Sequence, residues 1–329
     1  MRRAVSAAAC AAIALAGAGT GATAAARAAP RPASSAAPPD LALALRFRPL
    51  LYFDAHERWR PLDVDRFLAE PGHAACPAGA SPLAPPAPPG TPAPACVPFT
   101  SVAQLAPAVA YLDLRGTRLS GSDARAPDVA TCPKSLPRIW DCDLGGRSLI
   151  YAHVVRAGAR IAIDYWWFLR YNAFAIDLHE GDWEGVTVIV DRRGRRVLSV
   201  GFAAHSDVWR YDAGVPSLAG DHVRVYVSRG DHAAYPRRCS FLCRTTDGLL
   251  PEGNFGGRDP WVDNASAACR RRCVRLMPTT PSGAPASWDA WRGLWGVPLS
   301  PVFGPPLTPA FQHRYLHPFA ARRSGRHIF

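Results

Sequence analysis

The chain reads RIAIDYWWFLRYNAFAIDLHEGDWEGVTVIVD over residues 160–191. Two apolar segments, 161–168 and 183–190, flank a short polar insert. Both segments are rich in β-branched and aromatic residues and have the length of a strand. Neither shows the one-sided pattern of an amphipathic helix. We therefore expect two buried β-strands with polar residues where the chain passes from one to the other.

The polar insert reads His179-Glu-Gly-Asp182-Trp-Glu184. Because side chains alternate along a strand, Asp182 and Glu184 should face one side while Trp183 packs on the other. Two adjacent carboxylates destabilise each other unless a cation or a proton intervenes, and His179 adds a further ligand type. The pattern predicts a metal site. The alternative is that these acids are solvated or form salt bridges at the end of a strand.

The first residues predict export. Met1-Arg2-Arg3 precedes a run of small apolar residues, so residues 1–24 read as a secretory signal peptide. Residues 25–40 are rich in Ala and Pro and predict a disordered leader. We expect a single β-sandwich domain over 41–329, with a Pro-rich surface insertion at 76–98. The mature protein should be secreted into the extracellular space.

The net charge of +12 comes almost wholly from arginine. Together with the abundance of Ala, Pro and Gly, this indicates the composition of a GC-rich bacterial genome more than a nucleic-acid partner. No basic helix carries interleaved aromatic residues, so we expect no nucleic acid to bind. An anionic lipid surface or a polysaccharide suits an exported protein better.

The chain has nine cysteines, and eight remain once Cys10 is removed with the signal peptide. An even number in an exported protein predicts disulfides. The sequence spacing favours the pairs Cys76–Cys96, Cys132–Cys142, Cys239–Cys273 and Cys243–Cys269. The last two pairs would be nested, each stabilising a long loop by roughly 3–4 kcal/mol. A four-cysteine zinc site formed by these last four residues is the alternative.

The remaining pattern is that of an all-β protein. Strand-like segments and turn signals predict two hairpins, 147–155 with 160–170 and 184–190 with 197–204, and a further strand at 222–228. No segment of helix length separates these strands, as parallel crossovers would require. We therefore expect a mainly antiparallel β-sandwich with long loops and a few short helices. One short helix is expected at 64–68.

Several motifs resemble the vacuolar protein sorting-associated protein 62 family. In chain order they are LLYFDAHERWRPLDVD at 50–65, YWWF at 165–168, HEGDWEGVTV at 179–188, AHS at 204–206, VSRGDHAAYP at 227–236, WRGLWG at 291–296 and GPPLTPAFQ at 304–312. The resemblance covers most of the mature chain. It implies no established biochemical activity.

A more distant resemblance is to the necrosis- and ethylene-inducing-like proteins. These are secreted β-sandwiches that bind a divalent cation and plant sphingolipid headgroups, and they carry a His-x-x-Asp-Trp-Glu core. The resemblance implies that His179, Asp182 and Glu184 bind a cation, with Asn172 as the fourth ligand and Asp177 in reserve. Oxygen ligands with one imidazole favour Ca²⁺ or Mg²⁺, although Mn²⁺ and Zn²⁺ remain alternatives.

Two other histidines follow predicted strands near the central one. His205 ends the strand 197–204, and His232 follows the strand 222–228. Either could line the same cleft as the metal site or play a purely structural role. The tryptophans Trp288, Trp291 and Trp295 have helical spacing, which predicts one apolar helical stripe against the sandwich.

Three functions are consistent with these residues. The leading one is a secreted, divalent-cation-dependent protein that binds a glycan or a lipid headgroup, with a membrane surface as one source of that headgroup. The second is a metal-dependent hydrolase of phosphodiester or ester substrates, with His205 or His232 as the general base. The third is a non-catalytic structural or interaction module without metal.

The cysteine spacing gives a testable prediction. Non-reducing peptide mapping of the secreted protein should find no free thiol and should recover a peptide linking Cys239 to Cys273, because an oxidising compartment drives thiols into disulfides. Free thiols at Cys239 and Cys243 would contradict the nested pair.

Overall fold

The computed structural model describes a large part of the chain. The described residues are 39–53, 59–69, 72–81, 83–85, 88, 92, 94–114, 149–172, 177–204, 207–214, 218–237, 243–244, 251–252, 273–277, 287–298, 304–320 and 322–323. The predicted signal peptide therefore lies outside the described residues. None of the helices in this part of the chain is long and apolar enough to cross a membrane.

Helices are short and few in the described residues. The α-helices are α1 (Pro39–Arg46), α2 (Val64–Leu68) and α3 (His313–Leu316). Short 3-10 helices lie at Ala78–Ala80, Val102–Gln104, Trp288–Ala290 and Pro309–Phe311. Helix α2 is confirmed as predicted, and the Asp63 side chain caps it by accepting a hydrogen bond from the backbone N–H of Asp65. Helix α1 begins at Pro39, inside the stretch predicted as a disordered leader.

Strands make up most of the fold. They are β1 (Leu50–Phe53), β2 (His73–Cys76), β3 (Val97–Pro98), β4 (Tyr111–Leu114), β5 (Ile150–Ala157), β6 (Arg160–Asn172), β7 (His179–Asp191), β8 (Val197–Ala204), β9 (Asp207–Asp212), β10 (Leu218–Ala219), β11 (His222–Val227), β12 (Ala234–Tyr235), β13 (Cys243–Arg244), β14 (Pro251–Glu252), β15 (Val274–Leu276) and β16 (Arg322–Arg323). The all-β fold class is confirmed.

The largest sheet has seven strands in the order β15-β5-β6-β7-β8-β9-β16. Its five central strands form an antiparallel meander, which confirms the two predicted hairpins. At its two edges, β15 pairs with β5 and β16 pairs with β9 in parallel. These parallel pairs join segments far apart in sequence, so they need no crossover helix. The thirteen-residue strands β6 and β7 lie at the centre of this sheet.

A second sheet covers one face of the first. It contains β1, β10, β11 and β12, with β1 parallel to β11. Apolar side chains of β1 and β11 share one buried cluster with those of β5–β9, so the two sheets form a sandwich. Members of this cluster include Leu51, Val225, Trp167, Val186 and Phe202. Burying both inner faces removes a large apolar area from water and stabilises the fold.

The other face of the large sheet carries a second buried cluster, which is mainly aromatic. Trp183 stacks on Trp288, with ring centroids 5.6 Å apart, and meets Trp295 edge to face. The predicted helical stripe over Trp288, Trp291 and Trp295 is wrong as a helix. The 3-10 helix ends at Ala290 and Trp291 is extended, so the three rings meet through a folded segment. Because both its faces are covered, the central sheet reads in the sequence as continuous apolar runs.

One predicted disulfide is confirmed. Cys76 and Cys96 are bridged, which closes the Pro-rich insertion. Cys273 also forms a disulfide, but its partner is not among the described side chains. Cys132, Cys142, Cys239 and Cys269 lie outside the described residues, as does the side chain of Cys243. The other three pairings stay predictions.

An arginine from the end of the chain is buried against the central strands. The guanidinium of Arg314 lies over the ring of Trp166, with Cζ 3.5 Å from its centroid, and donates to the carbonyl of Tyr165. Its Nη1 is 3.5 Å from the buried carboxylate of Asp164. Gly185 leaves the space for it, because a Cβ there would lie 2.4 Å from Arg314 Nη2 and 2.0 Å from the Tyr165 carbonyl oxygen.

The space at Gly185 gives a prediction. Gly185→Ala should lower the free energy of unfolding by about 1–3 kcal/mol, because the added methyl group overpacks the contact between Arg314 and β6. Gly214→Ala is the matched control, since a Cβ at Gly214 has no atom within 4 Å. That control should change the stability by less than about 0.5 kcal/mol. Urea denaturation of both variants tests this, and equal stabilities would contradict the packing described.

Candidate functional site

The predicted metal ligands lie where β6 and β7 pair near the polar insert. Leu169 is opposite Asp182, and Trp167 is opposite Glu184. Asp182 and Glu184 are two residues apart and share the face of the sheet that packs on the second sheet. Trp183 packs on the opposite face. Asp182 is 4% exposed and Glu184 is 7% exposed, so these are interior carboxylates and not solvated strand ends.

Two further buried acids surround this pair. Glu180 is fully buried and lies opposite Tyr171 in the β6–β7 ladder. Asp231, on the loop after β11, is also buried. Neither residue belongs to the predicted set of metal ligands. Four acids with little access to water are costly unless cations or protons balance their charge.

His232 contacts this group directly. Its Nδ1 is 2.8 Å from Asp182 Oδ2, and its ring is fully buried. The backbone of His232 has a φ of +60°, which is uncommon for a residue with a side chain and costs conformational energy. The pairing of β11 with β12 holds the loop that carries His232. The contact with Asp182 keeps this imidazole at the site. His205, the other candidate, lies outside the described residues.

His179 is oriented by the local backbone. Strict alternation would place His179 on the face opposite Asp182. However, Gly181 between them has a φ of +59°, and this left-handed conformation interrupts the alternation. His179 Nδ1 lies 3.0 Å from the Gly181 carbonyl and 3.2 Å from the Glu180 carbonyl. Nδ1 therefore donates, which leaves Nε2 with its lone pair as the ligand atom.

The charges around His179 favour a positive group. Its Nε2 is 3.7 Å from Asp177 Oδ2. Burial lowers the pKa of the His179 imidazole, but Asp177, Asp182 and the Glu180 carbonyl outweigh this effect and raise the pKa above its usual value. The same environment that stabilises a proton on Nε2 would stabilise a metal ion there.

The fourth ligand has two candidates in the structure. Asn172 is buried and lies opposite His179 in the β6–β7 ladder. The reserve candidate, Asp177, faces the ligand nitrogen of His179, and its Oδ1 has no hydrogen-bond partner in the described part of the chain. Asp177 is the stronger candidate, because its charged carboxylate oxygen attracts a cation more than the neutral amide oxygen of Asn172 does.

Other buried polar atoms also lack partners within the described residues. They are Trp167 Nε1, Tyr171 Oη and Ser228 Oγ. Trp167 is opposite Glu184, and Tyr171 is opposite Glu180. Burial, followed by the negative charge of Glu180, raises the pKa of Tyr171 to about 12, so its hydroxyl remains a donor. Buried polar atoms are normally satisfied, so these atoms are candidates for hydrogen bonds to ordered water or to a polar ligand.

The ligand atoms do not form a closed cluster. Across the described residues, one group of three His, Cys, Asp or Glu side chains has its ligand atoms within 4.8 Å of one another, and it consists of Cys76, Cys96 and Asp113. That group is no metal site, because its two sulfurs form a disulfide. At the candidate site, side-chain rotations would have to bring the carboxylates around an ion. The residues fit a cation by donor chemistry, burial and charge.

Comparisons with known proteins give fold neighbours at low identity. No family model matches the chain, and no curated protein sequence matches it, so the resemblance to the vacuolar protein sorting-associated protein 62 family stays a prediction. Necrosis and Ethylene inducing Protein 2, from the causal agent of cocoa's witches' broom disease, is 16% identical with a TM-score of 0.34, over 73% of this chain and 74% of that one. NLPPya in complex with glucosamine is 18% identical with a TM-score of 0.31, over 59% of this chain and 64% of that one. The non-toxic HaNLP3 protein is 16% identical with a TM-score of 0.30, over 56% of this chain and 61% of that one. The chain spans just under two thirds of the last two proteins.

Proposed function

We propose that the chain is a divalent-cation-dependent protein that binds a glycan or a lipid headgroup. The observation that carries the proposal is the group of interior acids, Glu180, Asp182 and Glu184, at one end of the central strands. A bound cation is one way to balance the charge of interior carboxylates, and a cation held by few protein atoms keeps positions for ligand oxygens. With the predicted signal peptide, this binding would take place outside the cell.

The residues that would hold the ion are those whose ligating atom is negatively charged or is held in place by the backbone. His179 would bind through Nε2, because the carbonyls of Glu180 and Gly181 occupy Nδ1. Asp182 and Glu184 would supply carboxylate oxygens, and Asp177 or Asn172 would complete the protein's share. When bound, the ion supplies positive charge that attracts the hydroxyl or phosphate oxygens of a ligand. This donor set favours Ca²⁺ or Mg²⁺, while Mn²⁺ and Zn²⁺ remain alternatives.

The surrounding side chains have separate tasks. Asp182 is held by His232, which reduces the freedom of its carboxylate. The hydroxyl of Tyr171 and the indole N–H of Trp167 are donors that could meet ligand oxygens or ordered water. Such fixed donors around a polar ligand supply specificity, because a ligand that cannot accept from them leaves them unpaired.

One contact favours the second candidate function, a metal-dependent hydrolase. A histidine whose Nδ1 is bonded to a carboxylate resembles a general base that has been oriented for proton transfer. His232 and Asp182 form such a pair. The full burial of His232 argues against it, because a general base must reach the proton that it removes. Turnover of a phosphodiester or ester substrate that is lost in His232→Gln would support the hydrolase.

The cation gives a thermal stability prediction. Adding Ca²⁺ or Mg²⁺ to the metal-free protein should raise the melting temperature, because an ion that binds only the folded state stabilises it by about 2.7 kcal/mol at 100 times Kd. Asp182→Asn and Glu184→Gln should abolish most of this rise. Asp212→Asn makes the same chemical change at an exposed position of β9 and should respond like the wild type. An equal response in wild type and Asp182→Asn would refute the assignment.

Ligand binding is a separate measurement. The protein should bind arrayed glycans or liposomes that carry glycosylated headgroups when Ca²⁺ or Mg²⁺ is present, and the binding should disappear with a chelator and return when the ion is restored. Asp182→Asn should behave as the chelated protein does. Binding that is identical with and without chelator would exclude a role for the ion and leave the metal-free interaction module.

A further inference from the structure

Arginines cluster at the end of the central strands that lies away from the candidate cation site. We call this group the arginine tip, and it consists of Arg160, Arg192, Arg193, Arg195 and Arg196. The first begins β6, and the other four belong to the turn between β7 and β8. All five side chains are exposed. Because β6 and β7 pair with Arg160 opposite Asp191, the start of β6 lies beside that turn.

The turn that carries four of these arginines contains one carboxylate, that of Asp191. Its Oδ1 accepts hydrogen bonds from the backbone N–H groups of Arg193 and Arg195, at 3.1 and 2.8 Å. These bonds, the one from Arg195 first, lower the pKa of Asp191. The guanidinium nitrogens of Arg195 and Arg196 come no closer than 3.8 Å to its Oδ2. Asp191 therefore shapes the turn and leaves most of the positive charge uncompensated.

Arg46, at the end of helix α1, holds the backbone of the turn in the arginine tip through hydrogen bonds. Arg46 donates from Nη1 to the Gly194 carbonyl at 2.8 Å and from Nη2 to the Arg195 carbonyl at 3.0 Å. Arg46 is itself paired with Asp221, at 2.7 Å. Gly194 has a φ of +61°, and a Cβ there would lie 2.7 Å from a methyl group of Leu43. Because the backbone of this turn is held at several points, binding has to order only the arginine side chains.

We propose that the arginine tip binds an acidic polysaccharide. Guanidinium groups pair with carboxylate and sulfate groups through two parallel hydrogen bonds, which an ammonium group cannot do. The side chains of Arg192 and Arg193 make no ion pair with a described residue, so they are available to a ligand. A polymer with an anion on each repeat engages several arginines at once, which suits weak individual contacts on an exposed turn.

Other polyanions fit this surface less well. A surface that binds a membrane by insertion would present exposed apolar side chains, but the large exposed ones in the described residues are Leu83, Val97 and Leu316, none of which belongs to the arginine tip. Single-stranded nucleic acid needs aromatic side chains for stacking, and the turn between β7 and β8 contains none. The ring of Phe319 lies near the tip, but the guanidinium of Arg160 covers it, with Cζ 5.2 Å from its centroid. A charged polysaccharide binds through its anionic groups, so it needs neither apolar side chains for insertion nor aromatic side chains for stacking.

This binding is independent of the cation site. Asp182 and Asp191 are separated by nine residues of β7, which is roughly 30 Å along an extended strand. A ligand at the arginine tip therefore leaves the opposite end of the strands accessible. The protein could attach to an acidic polymer at one end while it binds its cation-dependent ligand at the other.

Dextran sulfate and uncharged dextran are a suitable pair of probes. The whole protein should bind dextran sulfate and not dextran, with a Kd that rises steeply with salt, and neither chelator nor Asp182→Asn should change it. Arg192→Gln/Arg193→Gln should raise the Kd about tenfold, because two contacts are lost. Arg66→Gln/Arg292→Gln removes the same charge from exposed positions elsewhere and should change the Kd less than about twofold.

The outcomes separate the alternatives. An equal loss of affinity in both double variants would show that net charge alone attracts the polymer, and would overturn the proposal. Equally tight binding to a single-stranded oligonucleotide or to phosphatidylserine vesicles, with the same dependence on Arg192 and Arg193, would overturn the choice of polysaccharide. Binding that is lost with chelator would move the site to the cation end and refute the independence argued above.

Discussion

The pairing of β6 with β7 is the interaction on which the rest of the structure depends. These two strands are the longest of the described residues, and both faces of the sheet they form are buried. A polar side chain on such a ladder has no access to water, so each one must meet a protein partner, a proton or an ion. On one face Arg314 approaches the buried Asp164, and on the other face His232 contacts the buried Asp182.

Arg314 is influenced by acids on both faces of the sheet. Its guanidinium packs on Gly185, which is next in the chain to Glu184. Burial lowers the pKa of Arg314, and the negative charges of Asp164 and Glu184 oppose that effect. Asp164 is satisfied by short hydrogen bonds from Thr187 and Trp166, yet burial raises its pKa to about 6. The guanidinium of Arg314 therefore lies close to the carboxylate on its own face, and the charge of Glu184 on the other face acts on it less strongly. The acids of the other face are those for which we propose a cation.

The sequence was informative where short-range patterns determine the structure. Alternation and β-branched composition predicted β6, β7 and the hairpins, and the relation between Asp182 and Glu184 followed from two-residue spacing. Contacts between distant segments left no such pattern. Nothing in the residues around Arg314 indicates that it packs on Gly185, and nothing near His232 indicates its contact with Asp182. The helical spacing of Trp288, Trp291 and Trp295 was misleading, because tertiary packing of the rings determined their conformation.

The length of β6 and β7 also keeps unlike charges apart. If the arginine tip lay beside Glu180 and Asp182, its guanidiniums would neutralise these acids and no cation would be needed. A separation of roughly 30 Å between Asp182 and Asp191 along β7 is several times the Debye length of about 8 Å at physiological ionic strength. The exposed arginines are therefore screened from the buried acids. The two proposed sites, for a cation at one end of the sheet and for an acidic polymer at the other, are therefore compatible with each other.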